Sequence, residues 1–415
     1  PKIHQYWSLL DVAQSSYLNK FSGSEREASE KLHELLLTSV KQQMIADVPV
    51  GAFLSGGIDS SLIVALMQSI SSKKIHTFSI GYNDKNYNEA DFAKGVAKHL
   101  KTNHTEFFIT PKQALDLIPR LPSMFDEPFS DASQIPTFLV SALTRKHVKV
   151  ALSGDGGDEL FGGYNRYIAS QKWLPILTAL PYPLRFKLSK LLSFYSKDLP
   201  FFGGLYPGSI GRATKISDVL RLKDFSCVYD YFLQGANPRE LIMDQYLPVS
   251  PTNFLVPDGI SDVEKMMFLD TKGYLVDDVL VKVDRASMAA GLETRAPFLN
   301  HHIVEFSWSL PLSFKIKGNL GKFPLRQILN QYVPKSLVNR PKMGFAVPLS
   351  SWLRGSLHDW AEDLLSEQRL RQGGYLKPEL VRQMWSEHLK GTRDWQRPLW
   401  NILMLQAWLD LEREL

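Results

Sequence analysis

One cysteine, Cys227, is all that 415 residues contain. No disulfide can form within such a chain, and a reducing compartment is its natural setting. No apolar run approaches the roughly 20 residues that a membrane helix needs, and the first residues show no signal-peptide pattern. The sequence therefore reads as cytoplasmic, with no membrane partner. No block of like charge occurs either: 48 basic and 43 acidic residues leave a net charge of +5, dispersed along the chain. A nucleic-acid binder would show a basic tail or patch with interleaved aromatics. Two hydrolase signatures, H-E-x-x-H and G-x-S-x-G, are missing, and the pair His301-His302 lacks the spacing of helical metal ligands. The phosphate loop G-x-x-x-x-G-K-S/T is missing as well; "GNLGKF" at 318–323 comes nearest and lacks the hydroxyl. Internal repeats and low-complexity segments are absent.

What is present alternates. Residues 25–45 show helical spacing through Ala28, Leu32, Leu35, Leu36 and Val40. Short β-rich runs follow at 48–54, 75–80, 104–109 and 148–152, separated by helical patterns at 60–70, 88–100 and 134–147. Strands alternating with helices predict an α/β fold, a parallel sheet with helices on both faces, whose ligands sit at the carboxyl ends of the strands. After about residue 165 the pattern becomes largely helical. In the final "DWQRPLWNILMLQAWLDLEREL", Trp400, Leu403 and Met404 fall at core spacing.

Between the first strand and the next helix stands "SGGIDSS". Gly56 and Gly57 let the backbone turn sharply and bring bare N–H groups to a ligand. Ser55, Ser60 and Ser61 add hydroxyl donors, and the following helix points its positive end at the same place. Asp59 beside an anion needs a divalent cation between, which suggests Mg²⁺. The plainer reading is a capped strand-to-helix turn.

Three further clusters stand out. "ALSGDGGDELFGGYNRY" at 151–167 packs five glycines around Asp155, Asp158 and Glu159, and predicts a non-core loop at the same sheet edge, with Asp158 a second metal carboxylate. "LVKVDRASMAAGLETRAPFLNHHIVEF" at 280–306 carries Lys282, Asp284, Arg285, Glu293 and Arg295, a pattern equally suited to a salt-bridged surface helix. The stretch 321–349 carries Lys322 and Lys342; lysines beside a phosphate anion can neutralise its charge, while taken singly each reads as an ordinary exposed lysine.

The "SGGIDSS" loop resembles that of the N-type ATP pyrophosphatases. The four clusters in this order resemble the C-terminal synthetase domain of the glutamine-hydrolysing asparagine synthetase family, from "YWSL" at 6–9 to the last helix. The resemblance implies an adenine nucleotide alpha hydrolase-like (PP-loop) core over 25–170, completed by a mostly helical part over 171–415, with 1–24 a linker from a glutaminase domain. It implies a carbon–nitrogen ligase in which a carboxylate attacks the α-phosphorus of ATP, pyrophosphate leaves, and ammonia displaces AMP. Leu54, Ile80, Ser153 and Gly154 would then contact adenosine. The loop residues Ser55, Gly56, Gly57, Ser60 and Ser61 would hold pyrophosphate, Asp59 and Asp158 the Mg²⁺, and Lys322 and Lys342 the transition state. Ammonia would come from a glutaminase domain or partner, and a homodimer is compatible with the reading.

Two departures bear on the acceptor. Asp155 stands where the family has Glu, the expected base for ammonia, and reaches one methylene less. Asp131, in "DEPFSDASQIPTFL" at 126–139, stands where an arginine is expected to hold the carboxylate of aspartate. L-aspartate is the default small-molecule acceptor, and a uronic acid or other carboxylate of polysaccharide biosynthesis the alternative. A nucleotide-binding module without catalysis is the rival of another class, and it predicts loss of an acid or lysine from the site. Cys227, among apolar and aromatic neighbours, predicts a buried, inert thiol rather than a glutaminase nucleophile.

Overall fold

In the computed structural model the described residues are 2–82, 90–198, 217, 220–222, 224–234, 238–243, 245, 255–339 and 347–414. Five parallel strands form one sheet in the order β3-β2-β1-β4-β5: β1 Val50–Phe53, β2 His76–Tyr82, β3 Asn103–Ile109, β4 Val150–Leu152 and β5 Glu293–Arg295. The chain starts in the middle, runs outward through β2 and β3, and then returns to the other side of β1. Strand order therefore reverses between β1 and β4, and the crevice beyond their carboxyl ends is the natural ligand site of such a sheet. Both glycine clusters of the sequence leave from those two strands.

Alternation along the strands builds the layers. Ala52, Leu54, Val150 and Leu152 face one side, where they join the buried side chains of α2 (Glu25–Gln43), α3 (Ile58–Ile70) and α4 (Ala90–Leu100). Phe53, Phe78, Ile80 and Ala151 face the other, toward α5 (Gln134–Thr144) and α6 (Val281–Ala289). The helix expected over 25–45 is α2, closed at its start by a capping box between Ser24 and Glu27. The core on the second face runs on without a break into the C-terminal helices, so Trp352, Trp385, Trp400, Leu403 and Met404 pack in one cluster with Ile80, Ile109 and Phe138.

Several expectations need amending. Residues 1–24 are not wholly a linker: Leu9–Leu18 is helical (α1) and packs on the helix His301–Ser309, and Trp7 Nε1 donates to Glu305 Oε1 at 3.1 Å. The 280–306 cluster is not one surface helix. Its first part is α6; its second is β5, an edge strand held by backbone pairing to β4. Asp270–Leu280, leading into α6, is π-helical, a rare geometry that is frequent at functional sites. Cys227 is half-buried, not fully enclosed. Among the described residues no helix is long and apolar enough to cross a membrane.

Candidate active site

The first wall is the turn from β1 into α3. Gly56 takes φ +75°, and a Cβ there would lie 2.8 Å from the backbone of Phe92 and Ala93, so only glycine fits. Gly57 is the N-cap of α3. Ser60 Oγ accepts the Ser55 N–H at 3.2 Å and lies 2.9 Å from Ser55 Oγ, which in turn accepts the Gly57 N–H at 3.2 Å. These bonds tie the loop to the helix it opens. The first N–H groups of a helix have no partner within it, and here they aim into the cleft. Ser61 differs from its neighbours. It is fully buried on the core side of α3 and does not line the cleft.

The second wall is the segment after β4. Its backbone is pressed against the first so closely that side chains are excluded. A Cβ on Gly154 would meet Asp59 Cβ at 2.8 Å, and one on Gly157 would meet Asp59 Oδ1 at 2.5 Å. The expected non-core loop is in part a short helix, Gly157–Phe161, with Glu159, Leu160 and Phe161 buried. The Ser153 N–H donates to Arg295 O at 2.8 Å, which ties the segment to β5. Burial pushes the Asp155 carboxyl up, against the opposing pull of Ser153 and the charge of Lys282. Burial beside Asp158 lifts Glu159 to about 7, although Tyr164 OH donates to its Oε1 at 2.5 Å.

Lys322 crosses between the walls. It sits at φ +58°, just before the helix Phe323–Leu329 (α7), with its N–H donating to Phe161 O at 2.9 Å. Its ammonium bridges the carboxylates of Asp59 and Asp158, 2.7 Å from the latter. Burial alone would lower the Lys322 pKa, but those two acids more than reverse this and keep it charged. One turn on, Arg326 also lines the cleft, its Nε donating to Gly321 O at 3.0 Å.

Sequence reasoning named Lys322 and missed Arg326, although spacing by four along a helix was available as a signal. It also missed Glu159 as a buried acid. Lys342 lies outside the described residues.

These walls enclose a cleft of about 530 Å³. Of the sequence-derived candidates, Leu54, Ser55, Gly57, Asp59, Ser60, Ile80, Ser153, Gly154, Asp155, Asp158 and Lys322 all line it. Gly56 shapes the loop from behind. Leu54 and Ile80 give it an apolar part, while Asp59, Asp158 and Lys322 gather at the N-terminus of α3.

Asp59 and Asp158 fit a magnesium site. A cationic group already sits between the two carboxylates, and Mg²⁺ takes one or two carboxylates with phosphate and water oxygens. No cluster of three or more His, Cys, Asp or Glu gathers among the described residues, so a wholly protein-made metal cage is not what this site offers.

Comparison with known proteins gives the family. The asparagine synthase profile matches residues 31–410. Asparagine synthetase (glutamine-hydrolysing) 1 of Bacillus subtilis strain 168 is 30% identical over 94% of this chain and 60% of its own length. A putative asparagine synthetase (glutamine-hydrolysing) of Mycobacterium bovis is 34% identical over 91% of this chain and 57% of its own. The chain thus spans about 60% of the length of these curated relatives. A solved NMN synthetase from Francisella tularensis aligns with 34% of the chain at 17% identity and a TM-score of 0.25, too slight a likeness to carry an argument. On the profile match and the relatives together, this chain belongs to the asparagine synthase family.

Proposed function

We propose that the cleft adenylates a carboxylate with ATP and passes the acyl group to ammonia, forming an amide with release of AMP and pyrophosphate. The observation that carries this reading is Lys322 held between Asp59 and Asp158, facing the N-terminus of α3. Lys322 and the N-terminus of α3, with the Mg²⁺ that the two carboxylates would hold, would offset the charge of the β- and γ-phosphates of ATP, so the bond most helped to break is the one joining them to the α-phosphorus. Adenosine would lie toward Leu54, Ile80, Ser153 and Gly154. Ser55, Gly57 and Ser60 would hold pyrophosphate, with Arg326 beside them, while Gly56 and the buried Ser61 act by fixing the turn. Asp59 and Asp158 would hold Mg²⁺, which supplies neutralising charge to the phosphates. Lys342 is proposed to join Lys322.

In the first step an acceptor carboxylate oxygen attacks the α-phosphorus, the bond from that phosphorus to the α,β-bridging oxygen breaks, and pyrophosphate leaves with the electron pair. In the second, ammonia attacks the acyl carbon, AMP leaves, and Asp155 takes the surplus proton. Ammonia would come from a glutaminase domain or partner. L-aspartate is the default acceptor, giving L-asparagine; the pairing of Asp131 with Lys282 at 2.6 Å favours a uronic acid or another carboxylate instead. Hydroxylamine tests the reading: with ATP, Mg²⁺ and an accepted acid it should be captured as a hydroxamate in step with pyrophosphate release. Pyrophosphate without hydroxamate would contradict it.

A further inference from the structure

The cleft has a second end, and its charge is arranged differently. Lys322 and Arg326 stand at the phosphate end; at the Asp155 end the lining cation among the described residues is Lys282, near the start of α6. Lys282 Nζ donates to Asp131 Oδ2 at 2.6 Å. Asp131 is itself pinned, because the Ser133 N–H donates to its Oδ1 at 2.9 Å. Burial pushes the Asp131 carboxyl up, yet Lys282 and Ser133 together hold it below its ordinary value. Asp278, one turn before Lys282 on the π-helical stretch, is hydrogen-bonded to Tyr274 and close to Asp131. Its Oδ1 is buried with no hydrogen-bond partner among the described residues.

The charges of this wall sum to zero or less. Lys282 contributes one positive charge, Asp131 one negative, and Asp278 is neutral or negative. An acceptor presenting a second carboxylate here would have to strip Lys282 from an acid that two hydrogen bonds keep in place, with Asp278 close behind it. Of these three residues Lys282 lines the cleft, with Asp131 and Asp278 behind it, and an acceptor presenting O–H or N–H groups meets the neutral polar residues Ser133, Thr137 and Asn165 instead.

We propose that the Asp131–Lys282–Asp278 wall selects the acceptor by its far end. It takes carboxylic acids whose remote part carries hydrogen-bond donors, hydroxyl or amine, and rejects those carrying a second carboxylate. This rests on the adenylating reading above.

A chain-matched series tests it: 4-hydroxybutanoate, 4-aminobutanoate and succinate, with glucuronate as a polyhydroxylated arm. Pyrophosphate release is followed with ATP, Mg²⁺ and ammonium chloride. The wild-type kcat/KM should favour the hydroxyl or amine acid over succinate by about tenfold or more, and the ratio between those two tells which donor is read. Asp131→Asn removes the carboxylate paired with Lys282, so succinate should gain relative to the donor-bearing acids by about tenfold. Asp278→Asn should shift the same ratio in the same direction by less, which keeps the test open if the first variant folds poorly. Succinate used as well as the others by wild type, or a ratio unmoved in both variants, overturns the proposal alone. No pyrophosphate with any acid, while ATP still binds, overturns the adenylating reading and this one with it.

Discussion

Lys322 Nζ lies 2.7 Å from Asp158 Oδ1, a contact that joins α7 to the segment after β4 across the mouth of the sheet. The lysine is almost fully enclosed, yet stays charged because its neighbours are acids. A buried cation so placed is organised before any nucleotide arrives, which is the condition for a large electrostatic effect on a departing anion. Lys322→Ala should lower kcat for pyrophosphate release by about 10²–10³-fold, measured by coupled pyrophosphate detection. A change of KM for ATP with kcat intact would show that the lysine only binds.

Gly157 tests the closeness of the two walls. It stands on ordinary helical backbone, so alanine carries no conformational penalty there, but its Cβ would come within 2.5 Å of Asp59 Oδ1. Gly157→Ala should raise the KM for Mg·ATP about tenfold or more by displacing the metal-facing carboxylate. Gly95→Ala on α4 meets nothing closer than 3.5 Å and should change stability by no more than about 1 kcal/mol, in the stabilising direction. Equal kinetics for the two variants would refute the packing argument.

Asp155 titrates high because burial outweighs Ser153 and Lys282. As a base it works only when ionised, so amide formation should rise with pH through a pKa above the ordinary carboxylate range and then level off. Asp155→Asn should remove that limb and slow amide formation about 10²–10⁴-fold, with acid-dependent pyrophosphate release retained. A raised folded-state pKa stabilises the protein below the unfolded value and loses that stability as pH rises through the folded one, so the variant should melt no lower than wild type at pH 8. An unchanged pH profile would assign Asp155 a structural role.

Outside the cleft lining, Lys315 is wholly buried against the Trp308 ring, 5.0 Å from its centre, and burial with the nearby charge of Lys20 drives its pKa down to about 7. The unfolded chain holds this proton up to about pH 10 and the folded chain releases it near 7, so stability should climb with pH between those values. Lys315→Met, of similar volume, should flatten that climb and raise the melting temperature at pH 7 by about 1–4 °C. Melting curves at pH 7, 8 and 9.5 decide it.

How much of this was legible in the sequence depended on whether the determinants were local. The loop after β1 and the segment after β4 stood out because glycines and hydroxyls between apolar runs have no packing role, and the structure puts both at the reversal of strand order. The strand β5 did not stand out: Glu-Thr-Arg is too short and too charged to read as a strand, and it is one because of backbone pairing with β4. The nature of Lys282 was hidden for a different reason. Whether a lysine is solvated or buried depends on its partner, and Asp131 lies on a distant segment. The π-helical register of Asp270–Leu280 leaves no mark in hydrophobic spacing, yet it carries Asp278 and Tyr274 to the acceptor wall. Arg326 was hidden inside a pattern that served equally well as ordinary helix, and Glu159 inside a glycine-rich stretch that reads as a loop.

The most direct measurement of the central claim follows oxygen. An accepted acid labelled with ¹⁸O in its carboxylate is incubated with the protein, ATP, Mg²⁺ and ammonium, and the nucleotide product is examined by mass spectrometry. Attack on the α-phosphorus predicts AMP carrying one labelled oxygen, with unlabelled pyrophosphate. Label appearing in inorganic phosphate alongside ADP would place the attack on the γ-phosphorus and contradict the account.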